Sequence, residues 1–352
     1  MNPDEVRSRL SSVEDPDLDD DIISLGLVNA VDVDAETIRL SLALGAPYAP
    51  NESQIADRVR AALADTDREI ELTAAMPPGL HTDEEVLPNI QNIIAVASGK
   101  GGVGKSTVSV NLAAGLAKRG ARVGLFDTDI YGPNVPRMVD SEDAPEATDD
   151  KTLIPPEQYG LKLMSMDFLV GPDDPVIWRG PMVHKMLTQL VEDVEWGQLD
   201  YLVVDLPPGT GDTQLTVLQT LPLTGAVIVT TPQEVAIDDA VKGLRMFGEH
   251  ETPVLGIVEN MSSFRCPDCG GSHDIFGSGG GEEFADEENL PFLGAIPLDP
   301  AIRAGGDGGE PIVRSDGETA TAFQAMTERV ANNIGIVRRQ QANTHAKTTP
   351  EQ

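Results

Sequence analysis

The sequence predicts an α/β protein, with a mostly parallel sheet covered by helices on both faces and a small N-terminal α/β domain ahead of it. Three observations carry this expectation. From Ile93 onward, short apolar runs alternate with longer helical segments, the pattern of β-α-β units whose crossover helices cover a parallel sheet. A Pro-, Gly- and acid-rich stretch, Met76-Pro77-Pro78-Gly79-Leu80 with Asp83-Glu84-Glu85, sets this part off from residues 1–73. A glycine-rich turn follows the first apolar run directly and precedes a helical segment.

In order along the chain, residues 1–73 read as a helix around 6–13, then the apolar residues Ile22, Ile23, Leu25 and Leu27. Next come an alternating strand over 37–44, a helix over about 51–64 and a short strand over 69–73. Residues 74–90 read as a linker. The main domain spans 91–337, with strands at 93–97, 122–126, 201–205, 226–230 and 254–258. Its first helix is expected over 107–119 and its last over 319–337. The polar residues 338–352 are expected to form a disordered tail.

The chain of 352 residues carries 25 basic and 58 acidic side chains, a formal net charge of −33, so a phosphate backbone is repelled and no nucleic-acid partner is expected. It holds no run of about 18 apolar residues, and residues 1–10 have neither a basic nor an apolar leader region. A soluble cytoplasmic protein without a membrane partner is the expectation. The acidic excess is spread along the chain against eight lysines, which suits a surface hydrated in high salt and a halophilic source.

Gly99-Lys100-Gly101-Gly102-Val103-Gly104-Lys105-Ser106 fits G-x-x-x-x-G-K-[ST] at every position, between strand 93–97 and a helix. In such a P-loop, glycines turn backbone N–H groups toward phosphate oxygens and the helix N-terminus adds partial positive charge, with Thr107 in its first turn. Lys105 is expected to reach the β and γ phosphates, and the Ser106 hydroxyl to ligate Mg²⁺. Asp205, ending an apolar strand, suits Mg²⁺ held through water, and the stretch Leu206-Pro207-Pro208-Gly209-Thr210-Gly211-Asp212 after it can act as a γ-phosphate-sensing switch. Asp127 and Asp129 follow the strand at 122–126; Asp129 is assigned to orient the attacking water and Asp127 to the metal side.

The chain has two cysteines, in Phe264-Arg265-Cys266-Pro267-Asp268-Cys269-Gly270. This C-x-x-C offers two thiolates, where zinc or a [4Fe–4S] cluster demands four, so two copies meeting on a two-fold axis would complete the set. A shared iron–sulfur cluster, a bridging zinc and a dithiol compete. Pro267, Gly270 and Gly271 indicate a loop rather than the helix start of a thioredoxin-like dithiol, and His273 is a further candidate ligand.

The early lysine in Lys100-Gly101-Gly102-Val103-Gly104-Lys105 resembles the deviant Walker A ATPases, which include the ParA and MinD partitioning proteins and the nitrogenase iron protein. That resemblance implies an ATP-linked homodimer in which Lys100 crosses to the partner's nucleotide. Across about 93–334 the chain resembles the Mrp (ApbC-type) family of iron–sulfur cluster carrier ATPases, in the P-loop, Asp127 to Pro136, Asp205 to Asp212, Val258-Glu259-Asn260-Met261-Ser262 and the cysteine motif. His273-Asp274-Ile275-Phe276-Gly277, Gly279-Gly280-Gly281-Glu282 and the run from Pro291 to Pro300 match it too. The resemblance implies ATP hydrolysis in a homodimer that passes a shared [4Fe–4S] cluster to apo iron–sulfur proteins, with Asn260 bonding the adenine. A ParA/MinD-like partitioning ATPase and a zinc-bridged nucleotide switch are the alternatives. Residues 1–73 are similar to SufT/PaaD-like assembly domains through Asp15-Pro16-Asp17-Leu18 and Ile22 to Val28; the loop where many of these carry a cysteine reads Gly45-Ala46-Pro47-Tyr48-Ala49-Pro50, so a docking or regulatory role is expected.

Overall fold

A computed structural model describes residues 1–76, 86–130, 132–141, 143–169, 180–266 and 268–348. Residues 77–85 of the expected linker, 349–352 of the expected tail, and Tyr131 and Pro267 of the two motifs lie outside the described residues. The chain divides into two compact units, Met1–Glu85 with Ala331–Gln352, and Val86–Val330.

The first unit contains α1 (Pro3–Leu10), β1 (Val28–Val33), β2 (Thr37–Leu42), α2 (Pro50–Ala62) and β3 (Glu69–Ala74). Helix α1 starts where Asn2 and Glu5 cap each other's backbone N–H groups, with Pro3 in the first turn. Strand β2 pairs antiparallel with β1 and parallel with β3. Its alternation buries Ile38, Leu40 and Leu42 on a core shared with Val6, Leu10, Ile22, Ile55 and Val59. Strand β1, with a half-buried Asn29 and an exposed Asp32 among its six residues, carries too weak an apolar signal to be read from sequence.

The second unit holds β4 (Ile90–Ala97), α3 (Lys105–Lys118), β5 (Val123–Asp127), α4 (Val135–Met138), β6 (Glu146–Ala147), β7 (Leu153–Ile154), β8 (Glu157–Gln158) and β9 (Leu161–Ser165). It continues with α5 (Gly180–Asp193), β10 (Leu199–Asp205), α6 (Asp212–Thr220), β11 (Gly225–Thr230), α7 (Glu234–Glu249), β12 (Val254–Arg265), β13 (Ser272–His273), α8 (Gly280–Glu287), β14 (Phe292–Leu298) and α9 (Pro300–Asp307). The last helix, α10 (Glu318–Thr348), supplies residues to both units. The main sheet runs β13-β12-β11-β4-β10-β5-β9-β8, with β14 also on β12; among the described residues only the β13 and β8 edges pair antiparallel. Central strands β5, β10 and β11 are buried at every residue, as a parallel sheet covered on both faces requires. All five expected strands are present. Strands β9 and β14 were not anticipated: β9 is short and carries Lys162, and β14 is interrupted by Gly294 and Pro297.

The expected disordered tail at 338–352 is corrected by α10, which continues helical through Thr348. Arg339 is fully buried in the first unit, with ion pairs of 2.7 Å to Asp15, 2.5 Å to Asp17 and 3.4 Å to Glu52. Glu52 also accepts the N–H groups of Gly45 and Ala46 at 3.1 and 2.9 Å, while burial pushes its carboxyl above the usual range. A polar segment folds here because it brings the counter-charge that three sequestered carboxylates need. Among the described residues no helix is long and apolar enough to cross a membrane.

Candidate functional site

The phosphate loop lies between β4 and α3, so its glycines meet the C-terminal edge of the parallel sheet and a helix N-terminus. Gly102 and Gly104 have φ of 83° and 84°, a left-handed conformation that glycine adopts without strain. A Cβ on Gly104 would sit 2.1 Å from Asn260 Nδ2, and one on Gly99 would sit 2.1 Å from the Asp239 backbone of α7. Asn260 Nδ2 donates to the Val103 carbonyl at 2.8 Å, so β12 clamps the loop. Lys100, Gly101, Gly102, Gly104, Lys105, Ser106 and Thr107 line a cavity of about 520 Å³, together with Asp129, Asn260 and the end of β14. Gly99 and Val103 shape the loop from behind that wall.

Behind the loop lies a buried charge cluster. Lys105 Nζ reaches Asp205 Oδ1 at 2.7 Å, with the two side chains 6% and 0% exposed. Ser106 Oγ donates to Asp205 Oδ2 at 2.7 Å, and Ser109 Oγ donates to the same carboxylate. Lys105, Ser106 and Asp205 therefore hold one another at the mouth of α3. The serine hydroxyl and the carboxylate are hard oxygen donors of the kind Mg²⁺ takes.

Asp127 is fully buried at the end of β5. It accepts the backbone N–H groups of Asp129 at 3.1 Å, Asn134 at 3.1 Å and Val135 at 3.2 Å, and the Ser165 hydroxyl at 3.3 Å. Burial, then the neighbouring Asp205 charge, raises its carboxyl from 3.8 to about 7 against the lowering effect of those N–H groups. Asp127 thus organises the turn that follows β5, and that turn carries Asp129 to the cavity wall.

Strand β12 delivers the cysteine motif. The Cys266 N–H donates to Gly271 O at 2.8 Å, the Gly270 N–H donates to Cys266 O at 2.9 Å, and Phe264 faces His273 across the β12–β13 hairpin. The loop expected from Gly270 and Gly271 is therefore a tight hairpin end. Cys269 is exposed and Cys266 partly so, both as free thiols. The backbone N–H groups of Cys269 and then Asp268 point at the Cys266 sulfur and lower its pKa, favouring the thiolate that binds soft metals. Among the described residues, no three His, Cys, Asp or Glu side chains gather closely enough to hold a metal ion.

Sequence reasoning missed Ser109, Met261 and the segment Pro297-Leu298-Asp299, all at this site. Ser109 was discoverable, since it lies one helical turn beyond Lys105 on the same face. Met261 and the end of β14 enter only through tertiary pairing.

The model of the NUBPL iron-transfer P-loop NTPase family matches residues 89–334, and that of an iron–sulfur cluster assembly protein family matches residues 3–72. The chain is 44% identical to an iron–sulfur cluster carrier protein of Synechocystis sp. over 351 residues, covering 96% of this chain and 99% of that one. It is similar to the Archaeoglobus fulgidus nucleotide-binding protein solved with ADP, at a TM-score of 0.58 and 41% identity over 65% of this chain and 91% of that chain. The Pyrococcus furiosus cell division ATPase MinD, at 24% identity and a TM-score of 0.53 over 68% of this chain and 98% of that one, shares the fold.

Proposed function

Because the chain belongs to the NUBPL iron-transfer P-loop NTPase family, we propose that it is an ATP-hydrolysing iron–sulfur cluster carrier that delivers its cargo to apo-proteins. The observation that carries this reading is the pairing, in one unit, of a glycine-lined phosphate cavity with a free thiol pair, Cys269 exposed and Cys266 partly so, whose first sulfur is biased toward thiolate. The cargo is a [4Fe–4S] cluster held by Cys266 and Cys269 of two copies in a homodimer, since each copy supplies two of the four sulfurs required.

In the nucleotide site, the N–H groups of residues 99–104 and the start of α3 receive the phosphates. Lys105 leaves Asp205 for the β and γ phosphates, and Lys100 reaches the partner's nucleotide. The Ser106 hydroxyl would ligate Mg²⁺ and Asp205 would hold it through water, and the ion would supply positive charge to the β and γ oxygens. Asp129, at the cavity wall, orients the attacking water while Asp127 fixes its turn and stands on the metal side. Asn260 contacts the adenine in addition to clamping the loop. The net charge of −33 counts against a DNA-partitioning role. It suits a saline cytoplasm, where molar KCl should raise the melting temperature; greatest stability in dilute buffer would end that idea.

Anaerobic reconstitution with iron and sulfide, followed by transfer to an apo-acceptor with no nucleotide, with ATP, and with a non-hydrolysable analogue, tests the carrier reading. Nucleotide-dependent transfer is expected. A zinc-only protein, or transfer indifferent to all three conditions, would overturn it.

A further inference from the structure

The phosphate loop and the cysteine hairpin are served by one strand, and that strand is irregular between them. In the β12–β14 ladder, Asn260 pairs with Ile296 but the next pair is Phe264 with Leu298, so four residues of β12 advance against two of β14. At the start of this bulge Met261 has φ 57°, the left-handed region that a methionine enters only under constraint. Asn260, just before it, holds the Val103 carbonyl of the phosphate loop. Met261 itself lines the nucleotide cavity, as do Pro297, Leu298 and Asp299 across the ladder. Just beyond the bulge come Arg265, which pairs with Ser272, and Cys266.

We propose that Met261 is a positioning residue that transmits nucleotide occupancy to Cys266 within a single chain, through the register of the β12 bulge. This rests on the nucleotide and cargo reading above and names the element that couples its two sites. Bulges bend the strand that carries them and re-aim the side chains that follow, so a change at this bulge alters where the end of β12 points. A nucleotide entering the cavity touches the bulge from both strands and shifts the loop to which Asn260 is bonded. The part of β12 before the bulge follows the loop, and the bulge passes that shift to the hairpin carrying the thiols. Coupling then needs no second copy, in contrast to coupling by closure of a dimer.

The test uses the full-length apo-protein. Because Cys266 and Cys269 are the only two cysteines, the labelling rate with a thiol-specific disulfide reagent reports this site alone. Labelling is measured under reducing pretreatment and oxygen-free conditions, without nucleotide and at saturating ADP, ATP or a non-hydrolysable ATP analogue, at protein concentrations that span monomer and dimer. In the wild type the rate should change by about fivefold or more between nucleotide states, at the lower end of ordinary coupling, and should do so in the monomer range. Met261→Gly relieves the left-handed constraint and should flatten the response at saturating nucleotide; Met261→Leu keeps bulk and constraint and should preserve it. Should Met261→Gly fold poorly, Met261→Ala, which keeps the constraint but removes the side chain that lines the cavity, is expected to reduce the response, and a full wild-type response would overturn the inference. A glycine variant that responds like the wild type, leucine and glycine variants that behave alike, or a response confined to the dimer would each overturn the inference. The carrier reading fails separately, by an absence of nucleotide binding or of cluster loading in the wild type.

Discussion

Replacing Lys105 by alanine should cost stability as well as catalysis. Lys105 Nζ lies 2.7 Å from an Asp205 carboxylate that is 0% exposed and that also accepts the Ser106 and Ser109 hydroxyls. Removing one partner of a buried pair leaves an uncompensated charge, at a cost of roughly 3–5 kcal/mol. The neighbouring Asp127 sharpens the effect, because Lys105 is among the groups that keep its carboxyl from rising further. Protonation of Asp127, whose carboxyl is raised to about 7, offers relief, so the cost should be full at pH 8 and smaller at pH 5.5. Urea unfolding at constant salt and without nucleotide measures it, and phosphate release with ATP measures activity. Hydrolysis should be lost in Lys105→Ala. Adding Asp205→Asn should restore most of the stability and none of the hydrolysis. A single variant as stable as the wild type at pH 8, or a double variant no better than the single, would refute the charge-pair account.

Asp127, with its carboxyl at about 7, binds a proton in the folded protein that it loses near 3.8 when unfolded, so its contribution to stability falls as pH rises from about 4 to about 7. Asp127→Asn should remove that slope, at most about 4 kcal/mol across the window, and an unchanged pH profile by urea unfolding would refute the assignment. Cys266→Ala and Cys269→Ala should each prevent retention of about four irons per dimer after anaerobic reconstitution while melting like the wild type, checked by iron assay and calorimetry; retention by either single variant would rule out four-thiolate binding. Arg339→Ala should destabilise the first unit by roughly 3–5 kcal/mol, read as lost amide-exchange protection in β1, β2 and β3; unchanged protection would refute its structural role.

What was legible in the sequence had local causes. The phosphate loop was readable because its geometry is made by neighbouring residues, with glycines at the left-handed positions and lysine and serine at the helix start. The five central strands were readable because strands buried on both faces must be almost wholly apolar. Non-local features were hidden. Strand β14 contains Gly294 and Pro297, turn formers on any local reading, and becomes a strand by pairing with β12. The polar composition at 338–352 argued for disorder because the carboxylates that order Arg339 belong to the other end of the sequence. At the nucleotide site both strand-end aspartates were found, but not the division between a fully buried Asp127 and a cavity-lining Asp129; that depends on which backbone N–H groups turn toward them.

The ion pairs of Arg339 also set a timetable for biosynthesis. Chains fold from the N-terminus as they emerge from the ribosome. The first unit cannot be completed in that order, because its guanidinium is joined 287 residues after Glu52 and 322 residues after Asp17. Until then the nascent N-terminal segment holds three carboxylates at an interior position with no cation to meet them, and the phosphate-loop unit finishes first. A chain cut short between Val330 and Arg339 keeps every residue of the phosphate-loop unit and lacks the cation of the first unit. Such a product lacks the guanidinium that its three carboxylates meet in the complete fold, so the first unit closes only once the last turns of α10 are in place.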